Sequence, residues 1–390
     1  MLRFSTAGES HGQALLALVS GMPAGVPLDA AFVRRQLWRR QQGYGRGGRM
    51  RIEKDAPQFL SGVRNGYTIG SPIAIEIPNH DWENWERTLA VETPAGEHAR
   101  PLASPRPGHA DLAGALKYNF KEARYVLERA SARETAARVA AGAMAQLLLR
   151  ELEIVVLSHV VAVGRAQLDP AVEATQDALE ALAAHEEILL HCLDGASEQR
   201  MKAEVDQVLR TGDTVGGVFE VQAFGLPPGL GTCANWDERL DGRLAQAVMS
   251  IQAVKAVELG AGIGVAAAPG SEAQDPIGYD AGARRFTRAG NHAGGLEGGI
   301  SNGEPLVVRG YLKPISTLRR PLASVDFITR EPVKAAYERS DVCVVPAAAV
   351  AGEAMVALVV AQAVLEKFGG DSLLECRRNW AAYAEQVRNF

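Results

Sequence analysis

The sequence predicts one α+β unit. Strand-like and long helix-like segments alternate in both halves of the chain, and no repeat, low-complexity tract or Pro/Gly-rich linker separates the halves. With 390 residues, 47% of them hydrophobic, the chain can bury a large core.

The elements follow from local pattern. Residues 2–7 and 14–19 alternate as short strands around a Gly-containing turn, and a helix follows from Asp29, a good N-cap, to about Arg40. Residues 59–63 and 67–77 flank Asn65-Gly66, a pair suited to a turn whose two central residues need positive φ, so a hairpin is expected. Residues 79–108 are rich in Pro, His, Trp and charge and lack periodicity, which reads as a long, lid-like loop excursion. A long helix should run from Ser131 to about Leu152, with Ser131 and Glu134 forming a capping box. Residues 154–163 and 217–224 read as buried strands. Residues 170–184, 196–210, 237–254 and 346–367 read as helices. The stretch 342–365 is apolar except for Glu353 and Gln362 and is long enough to cross a membrane. Its Pro346, small residues and lack of basic flanking asymmetry favour a buried core helix instead.

Composition narrows the function. The net charge of -5 removes the chain-wide basic signature of a nucleic-acid binder, so anion recognition must come from local patches. Only eight of the 41 basic residues are lysines, and the planar fork of arginine suits bidentate binding of carboxylate or phosphate. Cys192, Cys233, Cys343 and Cys376 have no Cys-x-x-Cys spacing, which argues against structural zinc and disulfides. Residues 1–5 lead straight into a reactive-looking motif without the apolar region of a signal peptide, so a cytoplasmic protein without a membrane or nucleic-acid partner is expected.

Four remote segments mix small residues with titratable ones: Gly8-Glu9-Ser10-His11-Gly12, Arg106-Pro107-Gly108-His109-Ala110-Asp111, Ser131-Ala132-Arg133-Glu134-Thr135 and Arg339-Ser340-Asp341. Together they hold the histidines, serines, aspartate and arginines needed to move protons around a polyanionic small molecule. Arg34, Arg35, Arg39, Arg40, Arg46, Arg49 and Arg51 form a second cationic stretch, read either as solvated surface or as a loop laying guanidinium groups over an anionic ligand. Gly43-Tyr44-Gly45-Arg46-Gly47-Gly48 matches G-x-G-x-x-G but follows a helix end instead of a buried strand, which rules out a dinucleotide fold there. Gly8 to Gly12 matches the G-x-S-x-G nucleophile elbow, but the apolar run after it is too short for the helix an elbow requires. A serine hydrolase acting through Ser10 and a nucleic-acid binder acting through residues 34–51 stand as alternatives. Ser131 and Arg133 at a helix start suit either a phosphate or a simple cap. Gly294-Gly295, Gly298-Gly299 and Gly303 mark a loop able to approach a planar ligand, and Lys313-Pro314-Ile315-Ser316-Thr317 follows a strand-like segment.

With residues 128–135, 298–303 and 339–343 in the same order along the chain, the sequence resembles the chorismate synthase family over nearly its whole length. The resemblance implies one domain over residues 1–390, folded as a layered β-α-β sandwich with internal pseudo-symmetry, and a homotetramer. It implies a lyase of the shikimate pathway, serving aromatic amino acid biosynthesis, that makes chorismate from 5-enolpyruvylshikimate 3-phosphate. The reaction is a 1,4-anti elimination needing reduced FMN without net redox change. By the same resemblance His109 would protonate the departing phosphate, His11 would hold a proton near the reduced flavin, Asp341 would set the protonation of flavin N5, and Ser10 and Ser131 would relay protons. Arg40, Arg46, Arg49, Arg106, Arg133 and Arg339 would meet the phosphate and two carboxylates. Ser131, Ala132, Arg133, Gln252, Ala253, Gly298, Lys313, Pro314, Ile315, Ser316, Thr317 and Arg339 would surround FMN. Relatives differ in whether NADPH reduces the flavin on the enzyme or an external flavin reductase supplies it. The chain departs from the family pattern at Gly290, where relatives often carry Thr.

Overall fold

Burial of every second residue builds the first sheet. The strand Ala14–Ser20 buries Leu15, Ala17 and Val19, which lie opposite Ile77, Ile75 and Ile73 of Ile73–Pro78, while Leu16 and Leu18 point outward. The computed structural model describes residues 1–47, 54–92, 94–338 and 341–390. In it, Arg3–Ala7, Ala14–Ser20, Ile73–Pro78 and Gln58–Phe59 form, in that order, an antiparallel sheet. A second antiparallel sheet runs Val254–Leu259, Leu306–Leu312, Gly217–Phe224, Val155–Val163, Ala166–Gln167.

Helices fill the space between the sheets. Thr135–Arg150 covers the inner face of the first sheet and packs along Val345–Phe368, which lies on the second sheet. Ala30–Gln41 packs against both helices. The result is the expected β-α-β layering around one continuous core that runs from Leu2 to Cys376.

Small residues make the middle layer thin. A Cβ on Gly142 would lie 2.4 Å from the Ala354 Cβ and 2.5 Å from its Cα, so only glycine permits this approach of the two central helices. Val345–Phe368 is the one described helix long and apolar enough to span a membrane, yet 94% of its most apolar window is buried in the fold. Its Glu353, 1% exposed, receives hydrogen bonds from Arg39 at 2.8 and 3.0 Å, Gln36 at 3.0 Å and Ser158 at 2.9 Å. A buried charge so compensated is tolerable in a protein core and belongs to a core helix, as expected from sequence.

Several expected elements differ in detail. Asp29 caps its helix through the Phe32 N–H at 2.9 Å, as anticipated. Ser131 instead caps a single 3-10 turn, Ala132–Glu134, and the α-helix starts at Thr135. No capping box forms there because the Glu134 carboxylate is claimed by Thr6, Arg138 and Gln252, three side chains that tertiary packing brings to it. The Asn65-Gly66 turn forms with both φ positive, but between the two-residue strands Val63–Arg64 and Tyr67–Thr68, while Gln58–Phe59 joins Ile73–Pro78 in the larger sheet. The helix expected over 237–254 is confined to Leu240–Met249, and Val254 starts an edge strand. The one expected over 170–184 starts at Gln176, behind the cap Thr175. The helices Asp111–Tyr118, Arg124–Ala130 and Leu373–Arg388 and the hairpin Ile277–Asp280 with Arg285–Arg288 were not expected.

Gly142→Ala tests the packing directly. Alanine favours helix by about 1 kcal/mol, but overpacking here should reverse the sign and destabilise the protein by about 1–3 kcal/mol. Urea denaturation measures this, and a variant as stable as the parent contradicts the close-approach account.

Candidate active site

The motif segments lie at the ends of elements, where backbone is free to turn and side chains converge. Ser10 and His11 occupy the turn between the first two strands, and His109 lies one residue ahead of Ala110, the N-cap of the helix Asp111–Tyr118. Ser131 to Arg133 join Arg124–Ala130 to Thr135–Arg150, and Lys313 to Thr317 follow Leu306–Leu312. Asp341 stands just ahead of the core helix. All of them line one cleft of about 870 Å³, together with Arg40, Arg46, Arg106, Gln252 and Ala253. The volume suits a small substrate with a cofactor.

Its charge is strongly positive. Six arginines and Lys313 line it, against the carboxylates of Asp81, Glu338 and Asp341. Cations this crowded require counter-charges behind them. The fully buried Asp55 carboxylate lies 2.7 and 2.8 Å from Arg133 Nη1 and 3.5 Å from Arg40 Nη1. Arg40 also donates to Thr135 Oγ1 at 2.8 Å and to the Ala132 carbonyl at 3.0 Å. Burial lowers its pKa from the usual guanidinium value to about 9, and the Asp55 carboxylate works against that shift. Arg46 pairs with Asp341 at 3.2 Å, and the other Asp341 oxygen accepts the Gly47 N–H at 2.6 Å.

Each histidine has a carboxylate. Asp111 takes Arg106 in a fork, Nε at 2.8 Å and Nη2 at 3.0 Å, and lies 2.5 Å from His109 Nδ1. Arg106 also donates to Thr317 Oγ1 at 2.9 Å. Burial alone would raise the Asp111 carboxyl, but the hydrogen bonds and charges of His109 and Arg106 hold it well below the ordinary aspartate value. His11 meets Glu128 and stacks on Trp85 with ring centroids 4.0 Å apart. Trp85 comes from the 79–108 excursion, whose Arg100 lies 4.5 Å over the same ring.

One wall fits a planar cofactor. Ala347, Ala348 and Ala351 of the core helix line the cleft with methyl groups, and Gln252, which lines it too, has its Oε1 buried without a hydrogen-bond partner while its Nε2 donates to Glu134 at 3.1 Å. An orphaned acceptor in a cleft with an apolar lining suits the edge and face of a flavin ring.

Some expected site residues lie elsewhere. Gly298 does not line the cleft, since it forms the turn between Leu296–Glu297 and Ile300–Ser301, with Cys233 as its nearest neighbour. Arg49, Arg51 and Arg339 are outside the described residues. The arginine stretch is not one cationic surface, because Arg39 turns into the core toward Glu353 and Arg35 donates to the Ala183 and His185 carbonyls. Ser10 sits on a strand-turn-strand, not the strand-turn-helix of a nucleophile elbow. Sequence reasoning gave no role to Asp55, Trp85, Asp111 or Glu128. Asp111 and Glu128 sit inside the motif segments, and that proximity was the available signal.

A family model described as chorismate synthase matches residues 2–365. The chain belongs to the chorismate synthase family. It is 66% identical to the chorismate synthase of Koribacter versatilis and 67% identical to that of Acidobacterium capsulatum, in each case over the full length of both chains. It also superposes on a crystal structure of chorismate synthase with a TM-score of 0.80 and 40% identity, covering 100% of this chain and 99% of the other. A chorismate synthase is a lyase that forms chorismate from 5-enolpyruvylshikimate 3-phosphate with reduced FMN.

Asp111→Asn should cost about 3–5 kcal/mol at neutral pH, because it strips a buried fork of its counter-charge. A carboxyl depressed in the folded state stabilises above its ordinary value and loses that contribution as pH falls below it. The gap between parent and variant should therefore narrow once pH drops below the ordinary aspartate value of 3.8. Denaturant midpoints across acid pH check this, and a gap that does not narrow refutes the assignment.

Proposed function

We propose that the cleft of this chorismate synthase is where phosphate leaves 5-enolpyruvylshikimate 3-phosphate. The observation that supports it is the convergence of residues from remote segments, Ser10 and His11, Arg40 and Arg46, Arg106 and His109, Ser131 to Arg133 and Asp341, around one cationic space.

Arg40, Arg46, Arg106 and Arg133 bind the phosphate and the two carboxylates, with Arg49 and Arg339 completing the set. Their carboxylate partners hold the guanidinium groups in place before substrate arrives, so little reorganisation is needed as charge develops on the leaving oxygen. The carbon-oxygen bond to phosphate breaks with its electron pair, the ring C6–H bond is lost, and a second ring double bond forms. Bound reduced FMN supplies a transient electron and proton partner for this elimination, with no net change of oxidation state. Ser131, Ala132, Arg133, Gln252, Ala253 and Lys313 to Thr317 would hold it, and the family resemblance adds Arg339 to that set. His109, steadied by Asp111, carries the proton for the departing phosphate. His11, next to Ser10, keeps a proton in the same cleft, and Ser10 and Ser131 relay protons beside the two imidazoles. Asp341, held by Arg46 and the Gly47 N–H, would set the protonation of flavin N5.

The same family reading gives a cytoplasmic homotetramer whose chain is one domain. The unbroken core supports a single domain, and the exposed Leu16 and Leu18 on the outer face of the first sheet support association. The reduced flavin is renewed by NADPH at the enzyme or by a separate flavin reductase.

His11→Ala and His109→Ala should each slow turnover by about 10²–10⁴-fold with the fold retained, and Asp341→Asn should lower kcat more than it raises KM. Anaerobic assay of chorismate formation with supplied reduced FMN reads all three. Near-parental rates remove the residue concerned from the mechanism. The same assay with oxidised FMN and NADPH distinguishes the two sources of reductant, since only an enzyme that reduces its own flavin will turn over.

A further inference from the structure

Glu128 has no part in the roles above, yet it controls how His11 stands. It is 2% exposed. One of its oxygens accepts the His11 backbone N–H at 2.9 Å, and both lie close to His11 Nδ1, at 3.0 and 3.1 Å. Its own carbonyl accepts the Ser10 N–H at 2.9 Å, and Arg124 backs the carboxylate from the same helix at 3.4 Å. A single residue thus grips the main chain of the turn and the ring it carries, while Trp85 covers one face of that ring.

We propose that Glu128 is a positioning residue that fixes His11 in the Nδ1–H tautomer, so that His11 exchanges its proton with the cleft only through Nε2. The inference rests on the proton-holding role given to His11. An ionised carboxylate has acceptors only, so the hydrogen bond to it must be donated by Nδ1. A neutral imidazole carries one ring proton, which leaves Nε2 as the nitrogen that gains or loses one. The ionised state of Glu128 is secured locally. Burial alone would raise its carboxyl, but the hydrogen bonds donated by His11, the charge His11 carries when protonated and the charge of Arg124 hold it below the ordinary value, and the hydrogen bonds and Arg124 remain when the imidazole is neutral. Flipping the ring would set a carbon against both oxygens and forfeit the hydrogen bond. Asp111 likewise meets His109 at Nδ1, although there Arg106 Nη2 also approaches that nitrogen at 3.1 Å, so the single-partner grip on the ring is particular to His11.

Histidine labelled with 15N provides the test. Two-bond proton-nitrogen spectra are recorded about two units above the ordinary imidazole pKa, with the His11 signals identified by their loss in His11→Gln. The expected result is a protonated Nδ1 and an unprotonated Nε2. In Glu128→Gln the carboxamide can donate as well as accept, so the two tautomers should mix and kcat should fall by about 10–100-fold. Glu128→Asp, which keeps the charge, should recover part of that loss. A parent enzyme with His11 in the Nε2–H form overturns the proposal whatever the variants do. So does Glu128→Gln with the parental tautomer and kcat. If His11→Gln turns over normally, the role of His11 fails, and tautomer control by Glu128 is still decided by the spectrum alone.

Discussion

Like charges brought together around a small space repel, and the cleft exists because that repulsion is answered from behind. Asp55 lies against Arg133 and Arg40, Asp111 against Arg106 and His109, and Glu128 against His11 and Arg124. At an effective dielectric near 20, each contact between opposite charges at about 4 Å is worth about 4 kcal/mol before desolvation is counted. These carboxylates are almost fully withdrawn from solvent, so they act as fixed scaffolding behind the cationic groups that line the cleft. The arrangement reconciles a cleft lined by seven cationic side chains with a chain whose net charge is -5.

How far the sequence revealed this depends on chain distance. The cleft-facing histidines and arginines sit in compact motifs, and four of those motifs could be read together. Their counter-ions are harder to see, because Asp55 meets Arg133 across 78 positions and Glu128 meets His11 across 117. No local pattern encodes those pairings. Arg39 and Arg40 make the same point at shorter range. Successive residues on a helix point about 100° apart, so Arg39 enters the core at Glu353 while Arg40 enters the cleft. In a stretch that is charged on every side, periodicity could not say which would do which.

The fold itself was more legible, for equally physical reasons. Alternating burial marks the strands Ala14–Ser20 and Leu306–Leu312, and apolar residues on all sides mark the core helix. The errors fell where tertiary partners overrode a local signal. Glu134 abandons its capping position for Thr6, Arg138 and Gln252, and the latent strand at Val254 was absorbed into an apparent helix. The short helices Asp111–Tyr118 and Arg124–Ala130 carry the groups that orient the two imidazoles. Their residues follow the functional arrangement more than an amphipathic pattern, which hid them.

The helix Val345–Phe368 lies between a first sheet made from residues 3–78 and a second whose last strand, Leu306–Leu312, also precedes it. During synthesis both sheets, together with Thr135–Arg150, leave the ribosome before the segment that fills the space between them. Their inner faces must stay wet or be shielded until the last tenth or so of the chain appears, a delay that exposes apolar surface to association. Gln362 then reaches back to the Leu2 carbonyl at 3.1 Å, and Ser372 bridges to Ala24. Residues 362–372 thus lock residues 2–24, so a product that stops short of them is left without its keystone.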